Sequence, residues 1–255
     1  MNRRAGAFTE FTPQPRVIAL HCSLSSGRQW VPLIEAIGPS HRAVALDISG
    51  YGGAAHSPPT AATLADEVVL LGAQLAEVSG PVHLIGHSYG AAIAFEMATA
   101  SPVASRVRTL TLIEPILPTI LLDREQDVPL YTRFAEFAAA VRAAIWRGDM
   151  RGAVKLSAAF WKDAGAPGRD LAPKTAEHLS HVVKKLAADF NAVFARRSVA
   201  DSARTIEVPT LLLSGGLSPA VTQRIVLRLA KCIKARESST CPMPVTCCRS
   251  PTQQK

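Results

Sequence analysis

The sequence predicts a single α/β domain: a mostly parallel sheet with helices on both faces, interrupted by a helical insertion. Three observations predict it. Short apolar runs of strand length alternate with helix-length segments between residues 17 and 115, the pattern of right-handed βαβ units. The runs end in turns rich in Gly, Pro and Ser. A chain of 255 residues, 48% hydrophobic and 19% charged, is long enough to bury a substantial core and has an ordinary globular composition.

Residues 1–16 hold two prolines and mixed polarity and are expected to add at most a short edge strand. Residues 17–21, Val-Ile-Ala-Leu-His, read as a buried strand running into the small polar stretch 22–27. A helix follows over about 28–37, with Trp30, Leu33, Ile34 and Ile37 at helical spacing. The next strand, 43–47, is closed by the turn 48–53, which contains Gly50, Gly52 and Gly53. Residues 63–78 read as an amphipathic helix stopped by Ser79, Gly80 and Pro81. Residues 82–85 are a further strand, 86–90 a tight turn, 91–100 a helix of small residues, and 107–113 a strand that ends at Glu114 and Pro115.

From 116 to 206 the rhythm changes to helices, with segments at 131–146, 150–161 and 175–194. Phe134, Phe137, Ile145, Trp146, Phe160, Trp161, Phe190 and Phe194 recur there at helical spacing, so most are expected in a core. The strand pattern resumes at 210–214, turns at Gly215 and Gly216, and gives a helix over 219–232. At about Lys231 the composition shifts to Cys, Pro, Ser and Thr with neither a strand nor an amphipathic pattern. No last strand or closing helix is therefore read beyond residue 232, which leaves 210–214 as an expected sheet edge prone to aggregation. The shift reads as a reading-frame change or an altered terminus. The expected organisation is 1–115 for the first part of the core, 116–206 for the insertion, 207–230 for the second part, and 231–255 for an atypical, disordered tail.

The net charge of +8 is concentrated from Arg228 onward, in Arg228, Lys231, Lys234, Arg236, Arg249 and Lys255 against Glu237. No nucleic-acid motif or basic stripe with interleaved aromatics accompanies it, so the charge reads as solvated and no nucleic-acid partner is expected. The apolar stretch 110–122 is broken by Glu114, Pro115 and Pro118 and falls short of the roughly 20 residues that span a membrane. The first residues carry two arginines without an apolar segment, so no signal peptide is read and a cytoplasmic location is the default expectation. Cys22, Cys232, Cys241, Cys247 and Cys248 make an odd count and are expected as free thiols. The C-terminal cysteines lack a His and a CxxC pair, so no metal is expected, and no phosphate-loop or dinucleotide fingerprint implies an organic cofactor.

Gly86-His87-Ser88-Tyr89-Gly90 matches G-x-S-x-G between a strand and a helix. Glycines two before and two after the serine let the strand turn sharply, which exposes the Ser88 hydroxyl in a strained conformation at a helix N-terminus. There the helix amides and dipole favour developing negative charge.

On these residues the chain resembles the α/β-hydrolase superfamily, more narrowly its cofactor-free, helical-lidded esterases and C–C hydrolases, over about residues 17–230. The family loop His-Gly-x reads His21-Cys22-Ser23 here, and the likeness implies that the backbone N–H groups of Ser23 and Tyr89 form the oxyanion hole. Cys22 is read as a packing residue. Asp47 with residues 50–53 resembles the family's Asp-x-x-Gly-x-Gly turn, which is structural. The insertion would be the lid, its apolar face roofing the serine.

The family most often places its acid after the penultimate strand, where this chain has Ser218. Other members carry it at the end of the strand after the elbow, which makes Glu114 the expected acid, with a carboxylate bonded to backbone amides as the alternative. The family histidine follows the last strand, and this chain has no histidine after His181. His178 and His181, three apart on a helix, are the possible substitute bases, although surface positions fit them too. His87 is expected to point away from Ser88, and His21 to bond to backbone.

The expected function is a serine hydrolase of small apolar esters or related acyl compounds, impaired by the missing histidine. The alternative is a catalytically silent protein of the same fold that binds a ligand or partner. Epoxide hydrolases and dehalogenases place an aspartate at the elbow, against which Ser88 argues. The expected partner is a small-molecule substrate, with no membrane, and the oligomeric state is open.

Overall fold

A computed structural model describes residues 16–39, 41–54, 61–162 and 173–241. Six strands form one sheet: β1 (Arg16–Leu20), β2 (Arg42–Leu46), β3 (Val82–His87), β4 (Val107–Ile113), β5 (Thr210–Gly215) and β6 (Arg236–Cys241). Their order is β2-β1-β3-β4-β5-β6, and every pairing is parallel. One face of the central strands is apolar and fully buried, through Ile18, Leu20, Leu84, Leu110, Leu112 and Leu212, while His83, Thr109 and Thr111 lie half-buried on the other.

Between β1 and β4 lie α1 (Val31–Ile37), α2 (Leu64–Leu70), α3 (Gly72–Ala76) and α4 (Tyr89–Ala100). Thr63 and Asp66 form a reciprocal capping box that starts α2. The stretch from Tyr89 to Met97 in α4 is buried without a break, as befits a helix enclosed on all sides. Ala91, Ala92 and Ala94 keep it thin enough to lie close to the sheet while α2 packs against it.

The segment between β4 and β5 is helical, as expected: α5 (Val128–Trp146), α6 (Met150–Lys162), α7 (Pro173–Val182), α8 (Lys184–Ala195) and α9 (Val199–Arg204). The single helix read over 175–194 breaks at Val183 into α7 and α8. An aromatic core holds these helices together. The Phe134 ring lies 5.7–6.0 Å from those of Phe137, Phe160, Phe190 and Phe194, and Phe137 stacks on Phe160 at 4.0 Å. Trp146 departs from the expected pattern, at 93% exposed.

Buried Asp127, just before α5, accepts from Arg224 at 2.6 Å and from Arg228, both on α10 (Ala220–Cys232). This ties the start of the insertion to the core and corrects the reading of Arg228 as solvated charge.

The largest correction concerns the end of the fold. The strand expected to be missing is present as β6, paired in register with β5 from Thr210↔Arg236 to Gly215↔Cys241. Lys231 and Cys232 belong to α10, so 210–214 is not the sheet edge. The reason it was illegible is physical: all six β6 side chains are exposed, so no apolar alternation marks the strand. Backbone bonds hold it, including Thr210 N–H to Ala235 O at 2.8 Å and Gly216 N–H to Cys241 O at 2.7 Å. The remaining expectations for residues 1–15 and 242–255 lie outside the described residues. Cys22 is disulfide-bonded rather than a free thiol, whereas Cys232 and Cys241 are free. Among the described residues no helix is long and apolar enough to cross a membrane.

Candidate active site

β3 passes into α4 at Ser88, whose backbone has φ 55° and ψ −115°. A non-glycine residue there costs about 1–3 kcal/mol and persists only where its surroundings hold it. Those surroundings are visible. Ser88 N–H donates to Ile113 O at 2.8 Å, and Ser88 O accepts from Ile116 N–H at 3.3 Å and Ala92 N–H at 3.2 Å. A Cβ on Gly86 would stand 2.5 Å from Ala91 Cα, and one on Gly90 would stand 2.6 Å from the Leu20 carbonyl carbon. The elbow is thus wedged against the end of β1, and both glycines are steric requirements.

The loop after β1 is fixed residue by residue. His21 is fully buried; its Nδ1–H donates to Cys22 O at 2.7 Å, and its Nε2 accepts from Ile48 N–H at 3.0 Å. Those partners fix one neutral tautomer, and burial lowers its pKa. Cys22 N–H donates to Gln29 Oε1 at 3.1 Å, and Gln29 Nε2–H donates to His87 Nδ1 at 3.0 Å. Burial, with the neighbouring His21 second, lowers His87 to about 4. Leu24 takes φ 60°. The Ser23 and Tyr89 amides donate to no other described group.

Asp47 accepts from Gly27 N–H and Gly53 N–H, each at 2.7 Å, so it is the turn residue that the sequence suggested. Glu114 is 4% exposed and adopts φ 47°. Its Oε1 accepts from Gly215 N–H at 2.8 Å, and Ser218 also hydrogen-bonds its carboxyl. Burial raises its pKa, with the Ser218 and Gly215 bonds pulling the other way. Glu114 is thus held by one backbone amide and one side-chain hydroxyl. Of the two substitute bases on α7, His181 is exposed, and the side chain of His178 lies outside the described residues. No described imidazole hydrogen-bonds to Ser88 or Glu114.

A cluster next to the elbow was not foreseen. Lys185 on α8, 2% exposed, ion-pairs with Glu67 of α2 and with Asp189 one turn along its own helix. Its ammonium lies 4.9 Å from the Tyr89 ring centroid and 5.6 Å from that of Tyr51. Burial alone would lower the Lys185 pKa, but the two carboxylates outweigh it and the net shift is upward. The i,i+4 spacing of Lys185 and Asp189 was legible, but nothing local distinguishes it from a surface pair.

Surface cavities of about 360 and 410 Å³ lie beside Glu96 and Arg196 and beside Thr109 and Arg236, and neither is lined by Ser88. No group of three or more metal-ligating side chains occurs among the described residues.

An elbow at Ser88 on a parallel sheet with an insertion after β4 defines a class, and comparison with known proteins assigns it. The alpha/beta hydrolase family profile matches residues 17–243, and the chain belongs to that family. Lipase LipV of Mycobacterium tuberculosis is 34% identical over 101 residues, 39% of this chain and 37% of the lipase. Putative carbamate hydrolase RutD of Yersinia enterocolitica is 32% identical over 93 residues, 36% and 34% of the two chains. The matched stretch thus spans little more than a third of either relative. Among solved structures, MenH from S. aureus superposes with a TM-score of 0.68 at 19% identity, covering 89% of this chain and 84% of that one. Carboxylesterase CesB from Bacillus subtilis gives a TM-score of 0.62 at 23% identity, covering 89% and 76%.

Proposed function

We propose that this chain is a serine hydrolase of small, apolar esters or related acyl compounds. One observation carries the reading: Ser88 stands strained at the N-terminus of α4, next to the unengaged Tyr89 amide, in a chain whose Ser23 amide also donates to no described group. Ser88 would attack the acyl carbon, the two amides would hold the oxyanion, and Glu114 would serve as the acid. His178 and His181, on the helical insertion acting as a lid, are the candidate bases. No cofactor is required. The relatives named lipase, carbamate hydrolase and carboxylesterase support a hydrolase.

The test is intact-mass analysis with a fluorophosphonate probe. One adduct that disappears in Ser88→Ala is the expected result; activity surviving that change overturns the nucleophile. A second reading is favoured by the absence of any described imidazole bonded to Ser88 or Glu114. In it the chain is a ligand-binding protein of hydrolase fold, and a folded chain that takes no adduct points to it.

A further inference from the structure

We propose that Lys185, Glu67 and Asp189 form a positioning unit for the oxyanion hole, through which helix α8 of the insertion sets the Ser23 and Tyr89 amides. The inference rests on the assignment of those two amides to the hole.

The wiring is symmetric. Asp189 Oδ2 accepts from the Ser23 hydroxyl at 2.5 Å and from the Tyr51 hydroxyl at 2.6 Å. Glu67 Oε1 accepts from the Tyr89 hydroxyl at 2.8 Å. The side chain of each amide-bearing residue therefore ends on a carboxylate, and both carboxylates share the Lys185 ammonium. Tyr51 adds a further tie, since its hydroxyl oxygen is hydrogen-bonded by the backbone of Leu24, the residue held at positive φ. The side-chain bonds leave the two amides free, so the unit fixes direction without occupying the hole.

Stability alone does not call for such a group. Buried ion pairs are often matched or exceeded by apolar side chains of similar volume. Three buried charges next to an elbow that needs two amides aimed at one point are accounted for by orientation. Because Lys185 and Asp189 both come from α8, the hole is complete only while that helix is docked on the core.

The test uses the full chain in four forms: wild type, Ser23→Ala, Asp189→Asn and the double variant. Two readouts are needed. Amide hydrogen exchange in peptides covering residues 21–26 should accelerate about tenfold in each single variant, and no further in the double. Fluorophosphonate modification of Ser88 should slow about tenfold in each single variant, again without adding in the double. With an ester substrate the loss should fall on kcat rather than KM. Additive effects in the double variant, or exchange at the wild-type rate in Asp189→Asn, overturn the proposal. A wild type that takes no adduct removes the hydrolase reading instead, and the exchange data still decide the positioning role. Ser23→Ala removes one half-buried hydroxyl, so a folded comparison remains if Asp189→Asn fails to fold.

Discussion

Glu114, at the end of β4, is hydrogen-bonded by Ser218, which follows the end of β5. The two positions to which the sequence resemblance points for an acid are thus in contact, and the Glu114 carboxylate bridges them. Its other partner is Gly215 N–H, so the group closes the gap between adjacent strand ends.

That contact gives a first prediction. Glu114→Gln keeps the acceptor for Gly215 and removes the cost of burying a charge, so its stability should stay within about 1 kcal/mol of wild type. Because burial raises the Glu114 pKa, ionisation works against folding as pH rises through the raised value, and the Gln variant should gain relative stability above it. Glu114→Ala leaves Gly215 N–H buried without a partner and should cost about 1–3 kcal/mol. Urea unfolding of the two variants across pH checks both. Loss of hydrolysis in the well-folded Gln variant would mark Glu114 as the acid.

The elbow gives a second. Ser88→Gly should relieve the φ 55° strain and raise stability by about 1 kcal/mol, net of the entropy glycine adds to the unfolded chain. It should also end fluorophosphonate labelling. A melting temperature at or below wild type would show that the conformation carries no strain.

At Gly90 the expected sign is reversed. An added Cβ meets the backbone of Leu20 and His21, which cannot rotate away, so Gly90→Ala should cost about 3 kcal/mol. Denaturant titration beside Gly72→Ala, where a Cβ meets nothing within 4 Å, separates this clash from a general effect of replacing glycine.

His87 gives a pH signature. Its pKa falls from 6.5 to about 4 on folding, so the unfolded chain binds the proton more readily between those values. Stability is complete above about 6.5 and should fall by about 3 kcal/mol as pH drops to 4. His21, also lowered by burial, adds a change of the same sign. His87→Gln should flatten the pH dependence of the unfolding free energy between pH 7 and 4; an unchanged slope would mean that His87 is not held neutral.

Asp127 tests the anchoring of the insertion. Asp127→Ala strands Arg228 in a buried position and should cost about 3–5 kcal/mol by urea unfolding, whereas replacing Arg224, which is partly exposed, should cost much less.

Much of the core was legible because it obeys periodicity. Residues 107–113 were read as a strand and are β4 to the residue, and the elbow was legible because G-x-S-x-G sits between a strand and a helix. What the sequence does not reveal depends on contacts between residues distant along the chain. Glu67 and Lys185 lie on helices from different parts of the chain, and only folding shows that each carboxylate of the Lys185 cluster ends on an amide-bearing residue. The sequence implied a free thiol at Cys22 because a single cysteine carries no signal of its partner.

β6 adds hydrogen bonds to the sheet but hides none of its own side chains. Peeling it away would uncover little oil-like surface beyond the flank of β5, so this strand can detach in a sub-global opening that leaves the elbow and its helix intact. Polar hexapeptides able to extend should replace it at small cost, and the margin of the sheet beyond β5 is where the fold best tolerates sequence drift.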